Sequence, residues 1–198
     1  MTKIKLIISH ISPNLTDYDF LYELVSQERK EKALRFKNKK DQIRSLIAGY
    51  LVEKSFKTQE FLKNEYSKPY LKDGLFFNLS HSGDYVCLGI SPFDIGVDVE
   101  EIKDKDYSFI QKFFNTQVLT EIEAYTLWTN SESFAKCLGT GIKDLKSIPL
   151  LLKDGKHVYK NKNYYTKNFI LNNHSFSITI DNDKDFEIEM INEEIIKK

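Results

Sequence analysis

Asp98 and Glu100 lie two residues apart in Gly96-Val97-Asp98-Val99-Glu100, a stretch that is otherwise apolar. A β-strand turns residues i and i+2 to one face. On a strand these two carboxylates therefore point the same way, while Val97 and Val99 point to the core. Carboxylates side by side repel unless positive charge sits between them. A hard divalent cation such as Mg²⁺ suits the pair, since it prefers carboxylate oxygens and completes its shell with waters and substrate phosphates. The commoner alternative for an isolated Asp-x-Glu is a solvated acidic face on an edge strand, so the rest of the chain has to supply partners.

Three further groups could do so. Glu132 and Lys136 are i,i+4 neighbours on one face of a helical stretch, which is either a surface ion pair or a carboxylate and a cation aimed at one point. Ser80-His81-Ser82 stands between two apolar runs. A lone loop histidine is usually satisfied locally, but His81 between two serines is well placed to donate to an anion. Arg29 and Lys32 lie three apart on a charged helical run, as a solvated face or as a grip on phosphate. Arg44 falls on or beside the apolar stripe of the next helix, either snorkelling to water or reaching an anion held between elements.

The elements that must carry these residues read as follows. Ile4–Ser9 is β-prone, and helical spacing begins near Asp17 and runs to Val25. Ser26 can cap the charged helix that follows. Asp41 to Phe56 is an amphipathic helix with Ile43, Leu46, Ile47, Tyr50 and Leu51 on its stripe. Leu75–Leu79, Tyr85–Ile90 and Ile95–Val99 read as strands of a meander, with Ser80–Asp84 a polar loop. Tyr107–Phe114 and Thr120–Leu127 are helical, the second opening on a Thr120/Glu123 capping box. The Leu127–Gly141 stretch is helical again and ends on glycine. Residues 157–191 alternate as four strands. Each half of the chain carries charged helices followed by antiparallel strands. That indicates α+β, as two similar halves, 1–95 and 96–198, packed around a seam.

Composition sets outer bounds. The chain has 198 residues, 41% hydrophobic and 13% aromatic, enough for a substantial core. Lys+Arg and Asp+Glu are balanced at 29 each, which argues against a general nucleic-acid binder. Cys87 and Cys137 have no CxxC partners and read as reduced, buried thiols. No apolar run approaches the ~20 residues of a membrane-spanning helix. The N-terminus reads as a first strand rather than a signal peptide. A cytoplasmic protein is the default expectation.

Six segments together resemble, in order and rough spacing, the signatures of 4′-phosphopantetheinyl transferases of the longer, surfactin-synthetase-activating type. They are Glu28-Arg29-x-Glu31-Lys32 with Arg35-Phe36; Asp41 with Arg44; Tyr66-x-Lys68-Pro69; Phe77-Asn78-Leu79-Ser80-His81-Ser82; Gly96 to Glu100; and Trp128-Thr129-x-x-Glu132-Ser133-x-x-Lys136-x-x-Gly139-x-Gly141. The resemblance spans roughly residues 3 to 142. It implies a pseudo-two-fold pair of α+β halves with coenzyme A in the seam. It also implies transfer of phosphopantetheine from coenzyme A to a serine of an acyl- or peptidyl-carrier protein, releasing 3′,5′-ADP. By the same resemblance Asp98, Glu100 and Glu132 are ligands of Mg²⁺, or of Mn²⁺ in its place. Glu132 is the base for the carrier serine, and Lys136 holds a pyrophosphate oxygen. Arg29, Lys32, Arg44 and His81 grip the 3′-phosphate and its neighbours, while Lys68, Pro69 and Ser80 line the nucleotide site. A monomer with an apo carrier protein as partner, and no membrane or nucleic acid, completes the expectation.

Two positions depart from the family pattern. Ser131 stands where the family usually has lysine before the helix glutamate, which removes one cation from the expected phosphate site, so that Ser131→Lys should if anything tighten coenzyme A; and Phe113-Phe114-Asn115-Thr116-Gln117-Val118 lacks the acid often found there. These departures leave room for a non-catalytic homologue that binds coenzyme A or a carrier protein. Metal-dependent phosphodiester hydrolysis would use the same carboxylates, but the chain carries no motif of such an enzyme.

Overall fold

The computed structural model describes residues 2–12, 18–57, 61–63, 68–72, 74–103, 107–117, 120–140 and 142–195; Tyr66, Val118 and Gly141 of the segments above lie outside them. The chain opens on strand β1 (Thr2–His10), then helices α1 (Tyr18–Glu23), α2 (Gln27–Leu34) and α3 (Lys39–Ser55). Strands β2 (Phe61–Lys63), β3 (Pro69–Leu71), β4 (Phe76–Ser82), β5 (Tyr85–Ser91) and β6 (Ile95–Glu101) follow. Helices α4 (Ser108–Phe114) and α5 (Glu121–Leu138) come next. The chain ends on β7 (Gly155–Tyr159), β8 (Lys162–Leu171), β9 (His174–Ile180) and β10 (Phe186–Asn192).

The strands form two sheets, ordered β10-β1-β5-β4-β3-β2 and β6-β9-β8-β7. The fold is α+β. The second sheet repeats the connectivity of β1-β5-β4-β3, with every neighbouring pair antiparallel in both. The core is layered. One apolar cluster lies between α1–α3 and the first sheet, through Leu21, Leu46, Leu51, Phe77 and Leu88. A second joins the sheets, with Ile4, Leu6 and Ile8 of β1 facing Val97, Val99, Phe176 and Ile178.

Helix α5 packs on the other face of β6 and β9, and the approach is very close. A Cβ on Gly96 would stand 1.9 Å from the Ser133 carbonyl oxygen. Buried hydroxyls fill the contact: Ser133 Oγ lies 2.9 Å from both Ser177 Oγ and Thr179 Oγ1, and Thr129 Oγ1 lies 2.9 Å from Ser175 Oγ. Thr120 and Glu123 close the capping box at the start of α5, and Gly139, at φ 77°, ends the helix.

Five expectations need correction. Ser80, His81 and Ser82 are not loop; they continue β4, and only Gly83-Asp84 turns the chain. The helix does not break near Leu127, because Ala124, Leu127, Phe134 and Ala135 are buried along one continuous α5. Strand β6 does not extend the meander. Both edges of β5 are already taken, by β1 and β4, so Ser91–Asp94 carries the chain into the second sheet, where β6 pairs with β9. Ser26 stands at the N-cap of α2 without a capping bond; its Oγ donates to Glu53 of α3 at 2.6 Å, a charge-assisted bond that turns the hydroxyl toward α3. Finally, β10 returns to pair in parallel with β1 in the first sheet.

Candidate active site

The two sheets meet where β4 runs beside β6. Strand β6 is an edge strand, and an edge exposes a row of unpaired backbone groups. Here the N–H groups of Val97, Val99 and Glu101 donate to side chains of β4: Asn78 Oδ1 at 3.0 Å, Ser80 Oγ at 3.3 Å and Ser82 Oγ at 3.2 Å. The alternating polar residues of β4 are therefore a side-chain ladder along β6. The same hydroxyls donate to the acids: Ser80 Oγ to Asp98 Oδ1 at 2.8 Å, and Ser82 Oγ to Glu100 Oε2 at 2.7 Å.

Helix α5 completes the corner. Its depth, set by Gly96, brings Lys136 Nζ to 2.6 Å from Asp98 Oδ1 and 3.0 Å from Ser80 Oγ. Glu132 Oε2 is 3.9 Å from the same Nζ. Asp98 is 2% exposed, and its second oxygen, Oδ2, is buried without a hydrogen-bond partner.

These groups open into a cavity of about 330 Å³. Asp98, Glu100, Glu132, Lys136 and Ser80 line one side, and Arg29, Lys32 and His81 bring positive or polar groups to it. Gly49 makes the cationic wall possible: the Arg29 stem lies across it, and a Cβ there would meet Arg29 Cγ and Cδ at 3.1 Å. Ser45, Ala48, Phe36 and Leu79 also line the cavity and were missed in the sequence. Ser45, Ala48 and Gly49 are small residues at i, i+3 and i+4 of α3, and that spacing was the available signal. A larger cavity, about 520 Å³, lies by the ends of β1 and β10 and contains none of these acids.

Three expected contacts fall elsewhere. The Arg44 Nε and Nη2 atoms donate to the Gly83 carbonyl at 3.0 and 2.6 Å, and Nη1 to Asp41 at 2.6 Å. Arg44 thus braces the turn that follows His81. Lys68 Nζ donates to Asp94 at 3.1 Å and to the Cys137 carbonyl at 3.0 Å, at the C-terminal end of α5. Pro69 begins β3 beside it.

Residues 9–92 match a family model described as the N-terminal part of 4′-phosphopantetheinyl transferase. A 4′-phosphopantetheinyl transferase of Bacillus subtilis is 32% identical over 161 residues, which is 71% of this chain and 72% of that protein. The chain belongs to the 4′-phosphopantetheinyl transferase family. A second B. subtilis relative, the transferase named ffp, is 31% identical over 178 residues, 77% of this chain and 78% of the relative. The transferase gsp of Aneurinibacillus migulanus is 33% identical over 154 residues; there the match spans 66% of this chain and 64% of the relative.

The electrostatics of this family member's cavity are those of an acid cluster under strain. Burial first, and then the Asp98 charge, push Glu132 up to about 7, against the pull of Lys136. The same two causes raise Glu100, with the Ser82 hydrogen bond and Lys136 opposing. Burial works against charged Lys136, yet Asp98, by charge and hydrogen bond, and Glu132 hold it above 10.5. On the other wall burial and the Arg29 charge lower Lys32. His81, on the rim, is held below 6.5 by partial desolvation and then by Arg44.

The donor set suits Mg²⁺ at Asp98 and Glu100: the orphaned Asp98 Oδ2 is a buried acceptor, and Glu100, raised first by burial and then by the Asp98 charge, is a carboxylate that a cation beside it would favour. Among the described residues no three His, Cys, Asp or Glu side chains already form a ligand cluster. Lys136 currently supplies the positive charge at Asp98. Ser131 does not face this cavity. It is fully buried within the fold, and its Oγ has no partner. No described helix is long and apolar enough to cross a membrane.

Proposed function

We propose that this chain transfers the 4′-phosphopantetheine group of coenzyme A to a serine of an acyl- or peptidyl-carrier protein, Mg²⁺-dependently, with 3′,5′-ADP as the other product. One observation carries the reading: a cavity lined by the buried Asp98 and the partly buried Glu100 and Glu132 with Lys136 among them, and by Arg29 and Lys32. Such a cavity matches a pyrophosphate flanked by a further phosphate. The repeated connectivity of β1-β5-β4-β3 and β6-β9-β8-β7, each with one long helix after its first strand, supports a pseudo-duplicated pair of halves, 1–95 and 96–198, with coenzyme A in the seam. On that reading β10 is an addition that ties the second half back to the first.

The chain's own residues then have distinct tasks. Arg29, Lys32 and His81 bind the 3′-phosphate. Lys136 donates to a pyrophosphate oxygen, and Ser80 keeps it directed there. Glu132 accepts the proton of the carrier serine as its hydroxyl oxygen attacks the phosphorus that bears pantetheine. The bond from phosphorus to the bridging oxygen breaks, and the electron pair leaves with 3′,5′-ADP. Asp98 and Glu100, with Glu132, would hold the metal, which supplies charge neutralisation on the pyrophosphate.

The test is intact-mass measurement of a panel of apo fatty-acid, peptidyl and polyketide carriers incubated with the protein, coenzyme A and Mg²⁺. At least one carrier is expected to gain one phosphopantetheine, and EDTA is expected to abolish the gain. No gain on any carrier would refute the proposal.

A further inference from the structure

The ladder between β4 and β6 does more than join two sheets. Ser80 accepts from the N–H of Val99 and donates to the carboxylate of Asp98; Ser82 accepts from the N–H of Glu101 and donates to that of Glu100. The two serines repeat one geometry, two residues apart on parallel-running segments. A serine hydroxyl has one proton and two lone pairs. Because the backbone N–H occupies a lone pair, the hydroxyl is aimed, and its proton is directed at the neighbouring carboxylate. Asn78 makes the backbone half of the contact, to the N–H of Val97 at 3.0 Å. Its neighbour at the third position is Gly96, which has no carboxylate to orient.

We propose that Ser82 is a positioning residue for the proposed metal site, acting through Glu100 as Ser80 acts through Asp98. Each hydroxyl holds one oxygen of its carboxylate and turns the other toward the cation. At Asp98 this division is visible: Oδ1 takes Ser80 and Lys136, and Oδ2 is left without a partner. At Glu100 the Ser82 bond holds Oε2 at 2.7 Å and leaves Oε1 outside it. Glu100 needs the support more, because a glutamate has an additional rotatable bond and, among the described residues, no lysine forms an ion pair with it as Lys136 does with Asp98. The inference rests on Asp98 and Glu100 being metal ligands.

The test is the dissociation constant of Mn²⁺, read from the electron paramagnetic resonance signal of free Mn²⁺ with saturating coenzyme A, beside thermal unfolding of the same samples. Removing a group that orients a metal ligand typically costs 10–100-fold in metal affinity, so Ser82→Ala is expected to weaken Mn²⁺ binding about ten-fold or more, and Ser82→Thr, which keeps the hydroxyl, to stay within about three-fold of wild type. If Ser82→Ala does not fold, Ser82→Cys carries the same expectation, since it keeps the size and offers only a weak donor. A variant that loses thermal stability but binds Mn²⁺ as wild type does would reduce Ser82 to a sheet staple and overturn the inference alone. Equal weakening by alanine and threonine would overturn it too. A wild-type protein that binds no Mn²⁺ would instead refute the metal reading beneath it.

Discussion

Replacing Glu132 by glutamine should make the metal-free protein more stable while removing its activity. Glu132 titrates near 4.5 in an unfolded chain and at about 7 in the fold, where burial and Asp98 disfavour its charge. Between those values the folded protein holds a proton that the unfolded chain has released, so stability falls as pH rises. The favourable contribution of the protonated form is complete below 4.5 and gone above about 7. The full rise corresponds to about 3 kcal/mol. It already includes the attraction of Lys136, which pulls the other way. Glutamine does not titrate, so the stability gap between variant and wild type should widen by about 2 kcal/mol from pH 5 to pH 8. For a domain with a urea slope of about 2 kcal/mol/M, that is a midpoint shift of about 1 M. The assay is urea denaturation in EDTA at both pH values, followed by tryptophan fluorescence. His81 titrates in both proteins and cancels in the difference, whereas Glu100 interacts with Glu132 by charge and its share enters the gap. A gap that stays constant with pH, or a variant less stable than wild type at pH 8, would refute the reasoning.

Further outcomes follow from the packing around α5. Lys136→Met leaves the buried Asp98 carboxylate without its cation and should destabilise the metal-free protein by about 2–4 kcal/mol in denaturant titrations, with Mg²⁺ restoring part of the loss. Ser131→Lys would place an ammonium at a fully buried position off the cavity. It should lower the thermal midpoint, by about 3 kcal/mol or more in stability, and leave coenzyme A affinity by calorimetry no tighter. This reverses the simplest expectation from the sequence, that lysine there restores a phosphate contact. Gly96→Ala must push α5 off β6, because a Cβ cannot stand 1.9 Å from a carbonyl oxygen; a loss of about 3 kcal/mol or failure to fold is expected by circular dichroism.

Much of the local structure was legible. Asp98 and Glu100 share a face because a strand has period two, and Glu132 and Lys136 meet because a helix returns after four residues. Thr120 and Glu123 announced the start of α5, and Gly139 its end. What was not legible is long-range. Ser80-His81-Ser82 has the composition of a loop; pairing with Tyr85–Cys87 of β5 makes it a strand, and the free edge of β6, some 19 residues away, gives its two serines their partners. The alternation of 186–192 fits an edge of either sheet, and its pairing with β1 is a matter of packing. Arg44 is expected at a phosphate and Lys68 at the nucleotide site. Their partners include the carbonyls of Gly83 and Cys137, which no pattern of side chains reveals. Ser131 looked like a missing cation because helix spacing alone does not say which flank is sealed.

The most direct measurement follows both products of one reaction: 3′,5′-ADP released and carrier serine modified, quantified together in the presence of Mg²⁺ and coenzyme A. Equal amounts that appear together, and neither with Glu132→Gln, are the expected result. Release of 3′,5′-ADP without any modified serine would make the carboxylate corner a hydrolase, and release of neither would leave a binding protein; both would contradict phosphopantetheine transfer.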